Sequence, residues 1–236
     1  MIEQILYSTS RELQRLTEPA RKLSGLLGEQ FNIQVGKYQE GRLNPNCILI
    51  GVNIAHHLAG GVSDLPLVVI DKHTDMYANG SVRLCYDYRA WVYYEIMKRP
   101  EVHLVMPATD SLSLGRSCIP EGHEQTFHIY SLDSRKKAKF IILGDDNESI
   151  KGEIEKEAEG LENLWKMPGP RQISIDFDFC LSAESGILEG IIQRLIAAGN
   201  VYDFWLDVGL YQSDLLTSGN KPFDRYVPVF QKIHTS

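Results

Sequence analysis

The run LPLVVIDKHTDMY, residues 65–77, decides the fold because an apolar segment passes directly into a polar one. LPLVVI is a continuous apolar run bounded by turn residues, which is typical of a strand covered on both faces. CILIGV, residues 47–52, has the same character. Both runs therefore predict interior strands of a parallel sheet.

Further β-rich runs alternate along the chain with helical patterns. Strands are predicted at FNIQVGKY (31–38), EVHLVMP (101–107), FHIYSL (127–132), AKFIIL (138–143), RQISIDFDF (171–179) and VYDFWLDVGLY (201–211). Helices are predicted at 10–27, at 87–100, at 149–165 as an exposed acidic helix, and at 184–199. This alternation predicts an α/β fold, a three-layer α/β/α sandwich with a mostly parallel central sheet. We expect one domain over residues 1–236.

The composition of the chain argues against several classes of function. The chain has 236 residues, a formal net charge of -7 and no strong basic cluster, so nucleic-acid binding is not expected. Its start lacks the features of a secretory signal and no apolar stretch approaches membrane-spanning length. The four cysteines lie far apart without a CxxC pair, as in a protein with reduced thiols. A soluble cytoplasmic protein without a membrane partner is expected.

Polar residues follow three of the predicted strands. Because the carboxyl ends of parallel strands converge on one crevice, chemistry is expected there. These residues are His56 and His57 after CILIGV, Asp71, His73 and Asp75 after LPLVVI, and Asp176 and Asp178 in SIDFDF. In extended chain, side chains alternate with period two, which predicts Asp71, His73 and Asp75 on one side and Lys72 and Thr74 on the other.

This group of aspartates and histidines indicates a metal centre. Burying several such groups without a cation would be unfavourable by several kcal/mol for each unpaired charge. Mixed oxygen and nitrogen donors suit a pair of Mn²⁺ ions, with Zn²⁺ or Fe²⁺ as alternatives. Two such ions about 3.5 Å apart would lower the pKa of water and polarise an electrophile. The alternative is that the Lys72 ammonium takes the place of metal.

Two of these motifs resemble those of a known family. IDKHTD, residues 70–75, is similar to the DAHxD signature of the arginase and agmatinase family, and SIDFDF, residues 174–179, to its SxDxD signature, in the same order. The resemblance implies the arginase/deacetylase fold and implies five metal ligands: Asp71, His73, Asp75, Asp176 and Asp178. The first histidine ligand of that family would correspond to His56, with His57 as its rival.

The chain departs from the ureohydrolase pattern in its substrate region. The glycine- and proline-rich substrate loop is absent, and FWLDVG offers only Asp207 where the family has its substrate-binding glutamate. The alternative for Asp207 is a structural role. The overall pattern is more similar to a sparsely characterised branch of the superfamily, through Ile70–Asp75, Trp91 and Asp176–Phe179. For that branch the resemblance implies fold and metal site but no substrate.

The predicted function is metal-dependent hydrolysis of a non-peptide C–N bond in a small guanidino or amide molecule. Asp178 or Asp75 would orient the attacking water, and Asp207 would be the third catalytic residue. Two alternatives stay open: a catalytically silent descendant that binds a metal, ligand or protein partner, and a phosphoesterase, for which only Lys72 and Arg83 are visible as basic residues. The sequence leaves a homo-oligomer open.

Other conspicuous residues are interpreted structurally. His103 is predicted to be a strand histidine, while His123 and His128 have a weaker claim as loop residues of the site. The three tryptophans, Trp91, Trp165 and Trp205, are predicted to pack in the core.

Overall fold

The computed structural model of the chain describes residues 32–35, 47–51, 64–78, 90–106, 117–131, 136–169, 171–176, 190–191, 193–195 and 201–207. The helix predicted over 10–27 lies outside these residues.

A seven-stranded sheet is the centre of the described chain. The strands, in chain order, are β1 (Asn32–Val35), β2 (Cys47–Gly51), β3 (Leu67–Ile70), β4 (Val102–Met106), β5 (Cys118–Pro120), β6 (Phe127–Ser131), β7 (Lys137–Leu143), β8 (Ile150–Glu157), β9 (Arg171–Asp176) and β10 (Val201–Asp207). The large sheet has the order β1-β2-β10-β9-β3-β4-β6 and every neighbouring pair in it is parallel. The predicted α/β class with a mostly parallel central sheet is confirmed.

The strand order creates a switch point in the middle of the sheet. β9 and β10, from the end of the chain, lie between β2 and β3. Every residue of β3 and β4 is buried, and for β3 the continuous apolar run predicts this. In open parallel sheets ligands bind beyond the carboxyl ends of the strands at such a point. The topology therefore predicts a ligand site at the carboxyl ends of β2, β10, β9 and β3.

A second sheet has the order β5-β7-β8. β5 pairs with β7 in parallel and β7 pairs with β8 in antiparallel orientation. Phe140 of this sheet meets Phe127 of β6 edge to face, with ring centroids 5.5 Å apart. The two sheets thus contribute to one hydrophobic core.

The prediction of an exposed acidic helix over 149–165 was wrong for residues 150–157, and a helix is present at Leu161–Trp165. Residues 150–157 form β8, in which exposed residues alternate with half-buried ones. Glutamate, lysine and alanine favour helix locally, but pairing with a neighbouring strand overrides such weak preferences. The register sets Lys139 opposite Glu155, and the Lys137 ammonium lies 3.2 Å from a Glu155 carboxylate oxygen. Opposite charges across the two strands stabilise the pair.

Two helices have defined bounds, α1 (Trp91–Lys98) and α2 (Leu161–Trp165), and residues 190–191 and 193–195 are also helical. α1 ends as predicted before Pro100, because Arg99 adopts the extended backbone that a following proline favours. Among the residues described, no helix is long and apolar enough to span a membrane. The inner face of α1 packs into the core through Trp91, Val92 and Ile96.

Candidate functional site

The register of the large sheet brings predicted acidic positions to one level. Asp176, the last residue of β9, pairs with Asp207, the last residue of β10, which in turn pairs with the last residue of β2. On the other side of β9, pairing with β3 runs to Ile70, so Asp71 follows at the same level. We call this the carboxyl edge: the carboxyl-terminal ends of β2, β10, β9 and β3.

The chain leaves extended conformation directly after β3. It bends between residues 72 and 75, and the predicted alternation of side chains is therefore wrong for this segment. Thr74 is fully buried, as is Asp71, whereas Lys72 and His73 are half-buried. Asp75 has a left-handed backbone, with φ of 48°, a conformation that aspartate tolerates better than most residues do. The turn, rather than the pleat of a strand, decides where these side chains lie.

Asp71 and His73 lie together in this turn. The Asp71 carboxylate oxygen Oδ1 accepts a hydrogen bond from the backbone N–H of His73 over 2.7 Å. The imidazole Nδ1 of His73 lies 3.7 Å from the same oxygen, and the His73 side chain is 41% exposed. Two of the predicted ligands are thus neighbours, one buried and one open to solvent.

Asp75 connects the turn to the start of α1. Its Oδ2 accepts a hydrogen bond of 2.7 Å from the indole N–H of Trp91, and its backbone carbonyl accepts one from the N–H of Val92. Trp91 is buried, as predicted, and its polar atom orients the Asp75 carboxylate. Within the described residues, the donor atoms of Asp71, His73 and Asp75 do not all lie within 4.8 Å of one another. A single ion is therefore not surrounded by all three.

Contacts with a neighbouring segment hold the end of the turn. The Thr74 hydroxyl is hydrogen-bonded to that of Ser117 over 2.7 Å, and Tyr77 forms an isolated antiparallel bridge with Ser117. Burial raises the pKa of the Tyr77 phenol, and the carboxylates of Asp75 and Asp71 add to this shift. The turn is thus a site of negative potential with a fixed backbone.

The remaining predicted residues are described only in part. Asp176 and Asp207 have the backbone positions given above. His56, His57, Asp178 and Arg83 lie outside the described residues. Their assignment as metal ligands, catalytic residues or phosphate-binding residues stays a prediction.

A second group of polar side chains lies at the opposite end of the sheet, at the start of β4 and β6. His103 is a buried strand residue, as predicted, and His128 lies in β6, within the strand predicted over 127–132 and not in a loop of the site. The two are register partners, and their rings stack with centroids 4.9 Å apart and planes 8° apart. Donor atoms of Glu101, His103 and His128 all lie within 4.8 Å of one another, which makes this group a possible metal-binding cluster.

The interpretation of the sequence missed this cluster as a unit. Its signal was a histidine at the second position of two strands, in VHLVM and FHIYS. That signal has meaning only when β4 and β6 are known to be neighbours.

The His103 ring is held by hydrogen bonds on both nitrogens. Nδ1 lies 3.2 Å from the Tyr130 hydroxyl and Nε2 lies 3.1 Å from a Glu101 carboxylate oxygen. Burial, together with the positive charges of His128 and Arg171, lowers the pKa of His103 from its usual 6.5 to about 3. His103 is therefore neutral in the folded protein near pH 7.

Stability should depend on pH through His103. Between pH 6.5 and about 3, the unfolded chain binds a proton on this imidazole and the folded protein does not. The stabilisation is therefore complete above the unfolded pKa and is lost as the pH falls, by about 1.4 kcal/mol per pH unit. Urea unfolding of metal-free wild type and His103→Gln at a series of pH values measures it. Equal slopes in the two proteins would contradict the prediction.

Comparison with known proteins finds no matching family model and no matching curated protein. Among solved structures, the chain is similar to the crystal structure of agmatine ureohydrolase of Thermoplasma volcanium. The similarity covers 98% of this chain and 72% of that chain, with 11% sequence identity and a TM-score of 0.49. The function must therefore be argued from the residues of this chain.

Proposed function

We propose that this protein is a metal-dependent hydrolase of a non-peptide C–N bond in a small guanidino or amide molecule, with its active site at the carboxyl edge. One observation carries the proposal: aspartates stand at the same level on β9 and β10, with Asp71 at that level after β3. The switch point of a parallel sheet is where such folds bind their ligands. Asp71 is fully buried and accepts a hydrogen bond from the backbone N–H of His73.

Divalent cations fit the donors of this edge. Asp71 and His73, which are neighbours, would hold one ion, and Asp75 a second, so no single ion needs all three residues. Asp176, Asp178 and either His56 or His57 would complete the set. Oxygen and nitrogen donors of this kind favour Mn²⁺, with Zn²⁺ or Fe²⁺ as alternatives. The metals would supply electrophilic polarisation and a water of lowered pKa.

The protein's own groups would orient the reactants. The Trp91 indole donates to one oxygen of Asp75, so the carboxylate keeps a fixed direction. Asp75 or Asp178 would accept a hydrogen bond from the attacking water and align it with the planar carbon. Asp207, beside Asp176, would contact the cationic part of the substrate. The same proposal places the protein in the cytoplasm, as a monomer or homo-oligomer.

Metal content tests this proposal. We expect chelator-treated wild type to take up about two equivalents of Mn²⁺, and the Asp71→Asn, Asp176→Asn double variant to lose this uptake. Asp64→Asn is the matched control, because Asp64 is exposed and lies before β3, at its other end. Elemental analysis after dialysis measures the content, and circular dichroism checks that each variant is folded.

Activity assays separate the hydrolase from its alternative. Mn²⁺-loaded wild type should release urea from guanidino compounds or ammonia from amides, and the double variant should not. Uptake of Mn²⁺ without turnover of either class would favour the silent, ligand-binding alternative. Absence of specific uptake would refute the metal mechanism.

A further inference from the structure

We propose that Glu101, His103 and His128 form a second metal site, for a single Zn²⁺-like cation, at the amino-terminal end of the sheet. The site lies in a cleft of about 340 Å³ whose walls come from the starts of β3, β4, β6 and β9 and from the segment around α2. It shares no residue with the carboxyl edge. Strands of four to five residues separate the two ends by roughly 13–17 Å.

Strand pairing brings the two imidazoles together. Neighbouring strands lie about 4.8 Å apart and paired residues in parallel strands share a face, which explains the ring separation of 4.9 Å between His103 and His128. Glu101 directly precedes β4 and reaches the same point. Ligands of one tetrahedral zinc ion lie about 3.3 Å apart when each bond is 2.0–2.1 Å long. The 3.1 Å between His103 Nε2 and the Glu101 oxygen is compatible with that spacing.

A second layer of partners supports both histidines as ligands. Metal-bound histidines commonly donate their other N–H to an oxygen, which orients the ring. The His103 Nδ1 lies 3.2 Å from the Tyr130 hydroxyl, and the His128 Nδ1 lies 3.4 Å from a Glu159 oxygen. A hydroxyl can donate or accept, so Tyr130 supports His103 with or without metal. Nε2 of each ring is the atom directed to the cation.

Charge in the cleft favours a cation. Its lining has two carboxylates, Glu101 and Glu159, and one guanidinium, that of Arg171. The Arg171 guanidinium donates to the carbonyls of Leu164 and Met167 and also acts on His103, so one positive charge opposes the two carboxylates. Two histidines and one carboxylate are a donor set used by catalytic zinc sites. The fourth coordination position would face the cleft and remain accessible to water or a small ligand.

Two of the three ligand side chains of this site are partly exposed to solvent, unlike those of a closed structural zinc site. The side chains of His128 and Glu159 are 28% and 39% exposed, and that of Glu101 is 48% exposed. A cation can therefore enter without opening the core, and only His103 is deeply buried. Substitutions of His128 and Glu101 consequently test the site without disturbing folding.

Co²⁺ and Zn²⁺ titrations of the metal-free, full-length protein test this proposal. In the Asp71→Asn, Asp176→Asn background, where the carboxyl edge does not compete for the ion, the visible absorption of tetrahedral Co²⁺ should saturate at one equivalent, and Zn²⁺ should abolish it. His128→Ala and Glu101→Gln should each weaken Zn²⁺ binding at least 10-fold, and Glu159→Ala, which removes the acceptor beside His128 Nδ1, about 10-fold. Isothermal titration calorimetry gives the affinities, and circular dichroism confirms folding.

Two control proteins keep the result specific. His123→Ala removes a histidine from the turn between β5 and β6, outside the cleft, and should bind Zn²⁺ like wild type. The Asp71→Asn, Asp176→Asn variant should lose Mn²⁺ binding at the carboxyl edge but still bind Zn²⁺ at Glu101, His103 and His128. The two metal sites are therefore tested independently. Wild-type Zn²⁺ affinity in folded His128→Ala, or loss of the tetrahedral Co²⁺ signal in His123→Ala, would overturn the assignment.

Discussion

Replacing Trp91 with alanine should lower the free energy of unfolding by about 3–5 kcal/mol, as is usual for loss of a buried large aromatic side chain. Trp91 is 2% exposed and belongs to the cluster that joins α1 to both sheets. Its indole also donates to Asp75 over 2.7 Å, so the substitution loosens the turn after β3 as well as the core. Urea unfolding followed by circular dichroism measures the change.

Two further variants separate packing from hydrogen bonding at Trp91. Trp91→Phe keeps most of the buried ring but removes the N–H donor, and we expect a loss of about 1–3 kcal/mol. Met97→Ala is the matched control on α1, because Met97 is 44% exposed, and it should change stability by about 0.5 kcal/mol or less. A Trp91→Ala protein within 1 kcal/mol of wild type would show that this helix does not depend on its tryptophan.

Strands β3 and β4 of the large sheet were predictable because burial on both faces leaves a simple signature. The continuous apolar run LVVI and the mainly apolar VHLVM have few alternatives in a chain of this composition. β8 was not predictable in the same way. Its residues favour helix individually, and only pairing with β7 makes IKGEIEKE a strand. Local preference therefore failed where tertiary pairing opposed it.

At the candidate sites, too, some features follow from local sequence and others only from tertiary contacts. The burial of Asp71 and Asp75 could be anticipated, because acidic residues directly follow a buried strand. The bend that sets their geometry depends on the left-handed backbone at Asp75 and its contact with Trp91, sixteen residues later. The pairing of His103 with His128 depends on which strands are neighbours, and β5 lies between their strands in the sequence. Sequence periodicity does not contain that information.

Replacing Arg99 with methionine should destabilise the protein by about 3–5 kcal/mol, because it leaves the buried Glu95 carboxylate without its main cationic partner. The Arg99 Nε donates to Glu95 over 2.5 Å, and both side chains are at most 4% exposed. Its Nη1 donates to the carbonyl of Leu65 and to the Gln172 side chain, at 3.0 and 2.6 Å. Arg99 thereby ties the end of α1 to the starts of β3 and β9.

A double-mutant cycle identifies the charge pair as the cause. Glu95→Gln combined with Arg99→Met should be less destabilising than the sum of the single changes, by about 1–3 kcal/mol, because no unpaired buried charge remains. Lys98→Met is the matched control: its ammonium lies 3.8 Å from the same carboxylate, but its side chain is 50% exposed. Exposed pairs contribute about 0–1 kcal/mol. Additive effects of the Glu95 and Arg99 substitutions would mean that Arg99 stabilises the fold through Leu65 and Gln172 instead, that is, by joining strands rather than by neutralising Glu95.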